Sequence, residues 1–285
     1  MNGIILIDKP KDYTSHNVVA VIKKISNEKV GHTGTLDPNA TGVLPLLIGK
    51  ATGISKYLIN HDKKYIATLK LGIKTDTADS EGNIIEEKKV PDLDIGVIQE
   101  ALNKIVGKQE QVPPIYSAIK VNGKKLYEYA RQGKKVEVQA RKIEIYSTKL
   151  VEFNKEEAEV VFEVACSKGT YIRTVCEKLS ENLNTVGFMK NLRRTRVGDF
   201  DIQDTVKIED IKNNPNLLEK NIISLEKFFE NKEKIELTDK ELELFLNGVK
   251  LSKDYQNEIY RIYNNNTFIG LGIVENNKLK RDIIL

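Results

Sequence analysis

Asp37 is the one carboxylate in a twenty-residue stretch, Val30 to Gly49, that holds no lysine or arginine. The chain as a whole is 30% charged, so about six charges would fall there by proportion. A carboxylate on an uncharged, glycine-bearing segment can be kept from water while the backbone approaches a ligand closely. Shielding disfavours the ionised form unless a cation compensates it, so such an acid needs a partner. The competing reading is a plain turn, since Asp-Pro-Asn opens turns and the aspartate can bond its own backbone.

Arg173 is the second residue whose position asks for an explanation. A helix is expected over about 171–183 with Thr170 as its N-cap, which places Arg173 in the first turn, where the helix dipole disfavours a cation. The position makes sense if Arg173 meets an anion; an indifferent surface arginine is the alternative. The two cysteines, Cys166 and Cys176, and the three histidines, His16, His32 and His61, are not at ligand spacing, so neither a metal nor a disulfide is expected.

The elements that must position these residues alternate along the chain. "GIILID" at 3–8 reads as a buried strand stopped by Lys9-Pro10. A helix follows over 15–26, with Ser15 as cap and Val18, Val19, Ile22 and Ile25 as its apolar stripe. Glycines and prolines over 31–53 predict a loop-dominated segment. "KYIATLKLG" at 64–72 alternates like a strand, "DSEGN" at 79–83 makes a turn, and a helix is expected near 95–106. Asn122-Gly123 signals a two-residue hairpin. "AEVVFEVAC" at 158–166 is a further strand, and 213–221 reads as a linker. Strands at 258–274 and in "LKRDIIL" predict a small β-rich domain at about 235–285.

Length and charge bear on partners. A chain of 285 residues can bury a substantial core, its longest apolar run, "VLPLLI", is too short for a membrane span, and its first residues lack a secretory signal. A cytoplasmic protein is expected. The net charge is only +4, but residues 117–149 carry nine Lys or Arg against three acids, with Tyr127, Tyr129 and Tyr146 among them. "KNLRRTR" at 190–196 has no acid, whereas 200–243 holds twelve acids against seven lysines. Basic stretches with interleaved aromatics suit a nucleic acid, although solvated helix faces would look the same.

The motifs "GIILIDKP", "GHTGTLDPNATGVLPLLIG", "DKKYIATLKLG", "PPIYSAIKVNGKKLYEYAR", "GTYIRT" and "LRRTRVGDF" together resemble the TruB-type tRNA pseudouridine synthases, in order and spacing. "FLNGVKL" and "FIGLGIVENNKLKRDIIL" resemble, more loosely, the PUA-like RNA-binding domain of that family. The resemblance implies an α+β chain: a pseudouridine synthase fold with a mixed, largely antiparallel sheet flanked by helices over 1–230, including a basic RNA-gripping insertion at 117–149, and a PUA-like domain over 235–285. It implies isomerisation of the uridine at position 55 in the tRNA T-loop by a monomer that needs no cofactor, no metal and no membrane.

By the same resemblance Asp37 is the nucleophile, Arg173 its partner, and Tyr65 the ring that stacks on the base and moves a proton. Tyr171 and Leu192 pack around the flipped uridine, His32 inserts into the T-loop, and Lys9 belongs to the substrate-binding set. Two other classes remain open at this point: a nucleoside hydrolase using Asp37 at the same bond, and a non-catalytic RNA-binding protein.

Overall fold

The computed structural model describes residues 1–285 except Ala118, Asn122 and Lys135 and the side chains of Tyr127 and Arg131. Two compact units are present: 1–38 with 44–59 and 203–285, and 39–43 with 60–202.

In the first unit the strand Gly3–Lys9 is buried along almost its whole length, as an uninterrupted apolar run requires. It pairs in parallel with Val206–Lys207 through Ile7 and Asp8. Helix Ser15–Ser26 lays Val18, Val19 and Ile22 against Ile5, Ile7, Leu44, Leu46, Ile208 and Leu218 in one core cluster. Full burial of each such side chain stabilises the fold by about 1.5–3 kcal/mol. The helix is stopped by Asn27, whose left-handed backbone (φ 54°) lets its N–H reach the Lys23 carbonyl.

Residues 234–285 contain a five-stranded sheet in the order Lys234–Glu236, Ile259–Asn264, Thr267–Glu275, Lys278–Ile284, Leu251–Ser252. Its two hairpins turn on Asn265-Asn266 and Asn276-Asn277, all at positive φ between 49° and 60°, the backbone that two-residue hairpins need and asparagine tolerates. Ile235, Phe245, Ile262, Val274 and Leu279 fill its core. The same unit joins this sheet to the segment 49–59, where Tyr57 donates a hydrogen bond to Asp282 and Lys56 pairs with the same carboxylate.

In the second unit the sheet runs from the start of Thr41–Ile48 through Gly187–Val197, Lys63–Leu71, Glu159–Cys166 and Arg141–Asn154 to Gly107–Gln111. The first pairing is parallel and the others are antiparallel, so the sheet is mixed and largely antiparallel, with helices Ile95–Asn103 and Ile172–Asn182 in the same unit. Alternation sets its buried face: Tyr65, Ala67, Leu69 and Leu71 on one strand, Val160, Phe162, Val164 and Cys166 on the next. Gly42 faces Arg194 across the parallel pairing, and a Cβ there would lie 2.1 Å from the Arg194 carbonyl oxygen at a φ of +106°. Only glycine fits that approach.

Several local expectations change. Ser15 is not the cap of its helix: Thr14 is, in a reciprocal pair with Asn17. Thr170 likewise yields the N-cap to Tyr171, its hydroxyl donating instead to Ser167. The segment 31–53 is far from loop-dominated, because "TGVLPLLI" is a strand with seven of its eight residues buried and 49–54 is a short 3-10 helix. Burial of the apolar run outweighs its glycine and proline. Residues 213–221 hold the end of one helix and the whole of another, Asn216–Lys220, seated by Leu218. The expected turn at Asn122-Gly123 includes Asn122, outside the described residues; on either side Lys120–Val121 pairs with Lys124–Lys125. Residues 141–149 of the basic stretch belong to the sheet itself.

Candidate active site

Asp37 is half-buried in the first unit, on the turn after strand Val30–His32. Its neighbours are held by the backbone. Leu36 donates its N–H to the Ser15 hydroxyl at 2.8 Å, and its carbonyl accepts from the same hydroxyl at 3.1 Å. The Pro38 carbonyl accepts from the Lys9 ammonium and from the Asp12 N–H, both at 3.0 Å. Lys9 is fully buried, and its ammonium also donates to the carbonyls of Pro10, at 2.8 Å, and Tyr13. The lysine expected among the substrate-binding residues thus reaches the backbone of the Asp37 turn. His32 ends the preceding strand, half-buried and opposite Leu46.

In the second unit Tyr65 stands on strand Lys63–Leu71, cross-strand from Arg194, while Ala67 faces Leu192. Period-two alternation puts Tyr65 and Leu192 on one face as diagonal neighbours. Arg194 is buried, donates from Nε to the Val43 carbonyl at 2.8 Å and shares a side-chain hydrogen bond with Tyr65. Burial pulls its pKa down, and Tyr65 acts against that shift. The basic run 190–196 therefore contains one arginine that faces inward to the tyrosine, a role its sequence context did not reveal.

Arg173 lies in the first turn of helix Ile172–Asn182, 5% exposed. Its guanidinium donates to the carbonyls of Tyr116 at 2.8 Å and Thr77 at 3.3 Å and pairs with Asp79 at 3.4 Å. Within its own unit, one anion beside this dipole-opposed arginine is the first residue of the turn "DSEGN". Thr77 donates its hydroxyl to Asp79 at 2.6 Å, and Glu81 donates its N–H at 3.1 Å. Nothing in the local sequence distinguishes Asp79 from an ordinary turn aspartate, because its partner lies on a distant helix.

Tyr171, half-buried, is clasped through its backbone: its N–H donates to the Gln111 side chain at 2.8 Å and its carbonyl accepts from the same amide at 3.1 Å. Gln111 is itself buried at the end of strand Gly107–Gln111. Of the tyrosines in the basic stretch, Tyr129 donates to the Val121 carbonyl and Tyr146 to Asp62. The side chain of Tyr127 lies outside the described residues.

Lys63 opens the Tyr65 strand beside a cavity of about 500 Å³ that His61, Tyr146 and Arg196 also line. Burial, aided by the nearby Arg194 charge, lowers its pKa from 10.5 to about 8. Between those values the unfolded chain binds the proton more readily, so this group makes stability rise with pH from about 8 to 10.5. Lys63→Met should therefore raise Tm at pH 7 relative to the unaltered protein, a difference that closes as the pH approaches 10.5. Thermal melts at pH 7, 9 and 10.5 check this; a gap that is constant with pH would contradict it. Among the described residues no group of three or more His, Cys, Asp or Glu side chains is gathered as a metal site would require.

Comparison with known proteins adds the lineage. The family model for the N-terminal domain of TruB family pseudouridylate synthases matches residues 23–172, and the model for the tRNA pseudouridylate synthase B C-terminal domain matches 173–230. The tRNA pseudouridine synthase B of Clostridium perfringens (strain SM101 / Type A) is 44% identical over 281 residues, 95% of each chain. That of Caldanaerobacter subterraneus subsp. tengcongensis is 40% identical over 284 residues, 98% of each. Among solved structures, a chain of a Cbf5-Nop10-Gar1 complex superposes with a TM-score of 0.70 at 26% identity, over 99% of this chain and 83% of that one. With such identity over nearly its entire length, and with the pseudouridine synthase fold, the chain belongs to the TruB family of pseudouridylate synthases.

Proposed function

We propose that this enzyme converts the uridine at position 55 in the T-loop of tRNA to pseudouridine. The observation that carries the reading is the near full-length match to relatives named tRNA pseudouridine synthase B. In the reaction the N1–C1′ bond breaks, uracil turns, and a C5–C1′ bond forms; C5 gives up its proton and N1 ends with one. Neither mass nor redox state changes.

The residues divide this work. The target base lies in the folded tRNA elbow and must leave its stack before the sugar can be reached. His32 replaces stacking lost in the T-loop, and Tyr65, Tyr171 and Leu192 receive the extruded uridine. Asp37 assists cleavage either by attacking C1′ or on a route through deprotonation at C2′. Arg173 is the cation that keeps the carboxylate ionised in a dry site, and Tyr65 moves a proton without competing for that cation. Lys9 supports the turn that carries Asp37.

The tRNA partner is held through phosphates and A-form shape. Residues 1–230 act as the catalytic domain, with basic segment 117–149 gripping the T-arm, and 235–285 as a PUA-like RNA-binding domain. Within 190–196 the half-exposed Arg196 side chain is available to phosphates, whereas Arg194 is buried. The enzyme acts as a monomer. A T-arm hairpin carrying cytidine in place of the uridine at position 55 tests the site: it should yield no pseudouridine, while the unaltered hairpin yields one per molecule. Pseudouridine formed in the cytidine hairpin would overturn the assignment of position.

A further inference from the structure

We propose that Ser15 is a positioning residue for Asp37, acting through the peptide bond that enters it. The inference rests on the reading of Asp37 as the reacting carboxylate. Ser15 is the first residue of helix Ser15–Ser26, a place where a hydroxyl ordinarily caps the helix or faces water. Here Thr14 supplies the cap, and Ser15 is 2% exposed. Its hydroxyl both accepts from the Leu36 N–H and donates to the Leu36 carbonyl, across twenty-one positions of sequence.

The Leu36 carbonyl belongs to the planar peptide unit that joins Leu36 to Asp37. Holding that oxygen fixes the plane from which the Asp37 side chain is launched. On the other side Asp37 is joined to Pro38, whose ring fixes its own φ and whose carbonyl is held by Lys9 and Asp12. The aspartate is thus clamped between two anchored units, and Ser15 is the anchor on the upstream side. A misplacement of about 1 Å at a reacting group can cost about a hundredfold in rate.

The test compares Ser15→Ala with Thr14→Ala on a T-arm RNA hairpin, in single-turnover assays run well below both melting temperatures. Both variants remove one hydroxyl at the start of the same helix, the Thr14 cap in one case and the Leu36 anchor in the other, so only Ser15→Ala frees the Leu36 peptide. The expected result is a fall of about 30-fold or more in the single-turnover rate for Ser15→Ala, with RNA affinity unchanged, while Thr14→Ala keeps the normal rate despite a lowered Tm. Should Ser15→Ala not fold, Ser15→Cys is read in its place, since its somewhat larger thiol leaves no cavity and makes a much weaker hydrogen bond.

Equal rates for the two variants, or a Ser15 defect seen in binding alone, would overturn the proposal. Asp37→Ala is run alongside. If it remains active, the reading of Asp37 itself fails; if it is inert while the Ser15 variant is fully active, only the role of Ser15 does.

Discussion

Asp37→Asn should bind a T-arm hairpin within about threefold of the unaltered protein and convert it at least about 10⁴-fold more slowly. Asparagine has nearly the same shape but no anionic oxygen, so it can neither attack C1′ nor stabilise charge that develops there. The turn should keep its place, because the Leu36 and Pro38 backbone atoms on either side of Asp37 stay held by Ser15 and Lys9. Filter binding and single-turnover conversion on one preparation separate the two quantities. Parallel loss of both would mean that Asp37 serves binding or folding and not chemistry.

Arg173→Met carries the second large effect, and it should appear in stability as well as rate. The Arg173 and Asp79 side chains are only 6% and 13% exposed. Removing the guanidinium leaves a shielded carboxylate without its cation and the Tyr116 and Thr77 carbonyls without a donor. Breaking a pair buried to this degree costs about 3–5 kcal/mol. The rate should fall by about 10³-fold, in line with removal of a preorganised charge-stabilising donor.

Arg173→Lys is the informative companion, since one ammonium cannot span acceptors set out for a planar fork. It should recover part of the stability and little of the rate. Calorimetry and single-turnover assays below Tm check both variants. Normal turnover by a folded Arg173→Met protein would remove Arg173 from the mechanism.

What the sequence made legible was local or periodic. Alternation located the Tyr65 strand and the strand ending at Cys166, and the stripe Val18, Val19, Ile22 located the helix that starts at Ser15. Absence of charge singled out the Asp37 turn, but the same glycines and prolines concealed that "TGVLPLLI" is a buried strand. The roles of Ser15, Gln111, Asp79 and Arg194 were out of reach for a different reason. Each acts on a residue far away in sequence: Leu36, Tyr171, Arg173 and Tyr65 respectively.

Ser15 illustrates the point. A serine at the start of a helix reads as a cap, and one threonine earlier was enough to release its hydroxyl for other use. Asp79 reads as a turn former, and it is one, with the ion pair to Arg173 built on top. The motif resemblance named the residues proposed to meet substrate but was silent on Ser15, Gln111, Asp79 and Arg194.

The central claim, that this protein moves uracil from N1 to C5 attachment with Asp37 in the reaction, is tested most directly by tritium release. The substrate is a T-arm RNA hairpin labelled at C5 of its uridines, treated with the unaltered protein or with Asp37→Ala and then digested to nucleosides. C5 loses its hydrogen only when it forms the new bond to C1′. The account predicts release and pseudouridine with the unaltered protein and neither with the variant. Free uracil would instead identify a hydrolase, and bound hairpin with no release would identify an RNA-binding protein; either result contradicts the account.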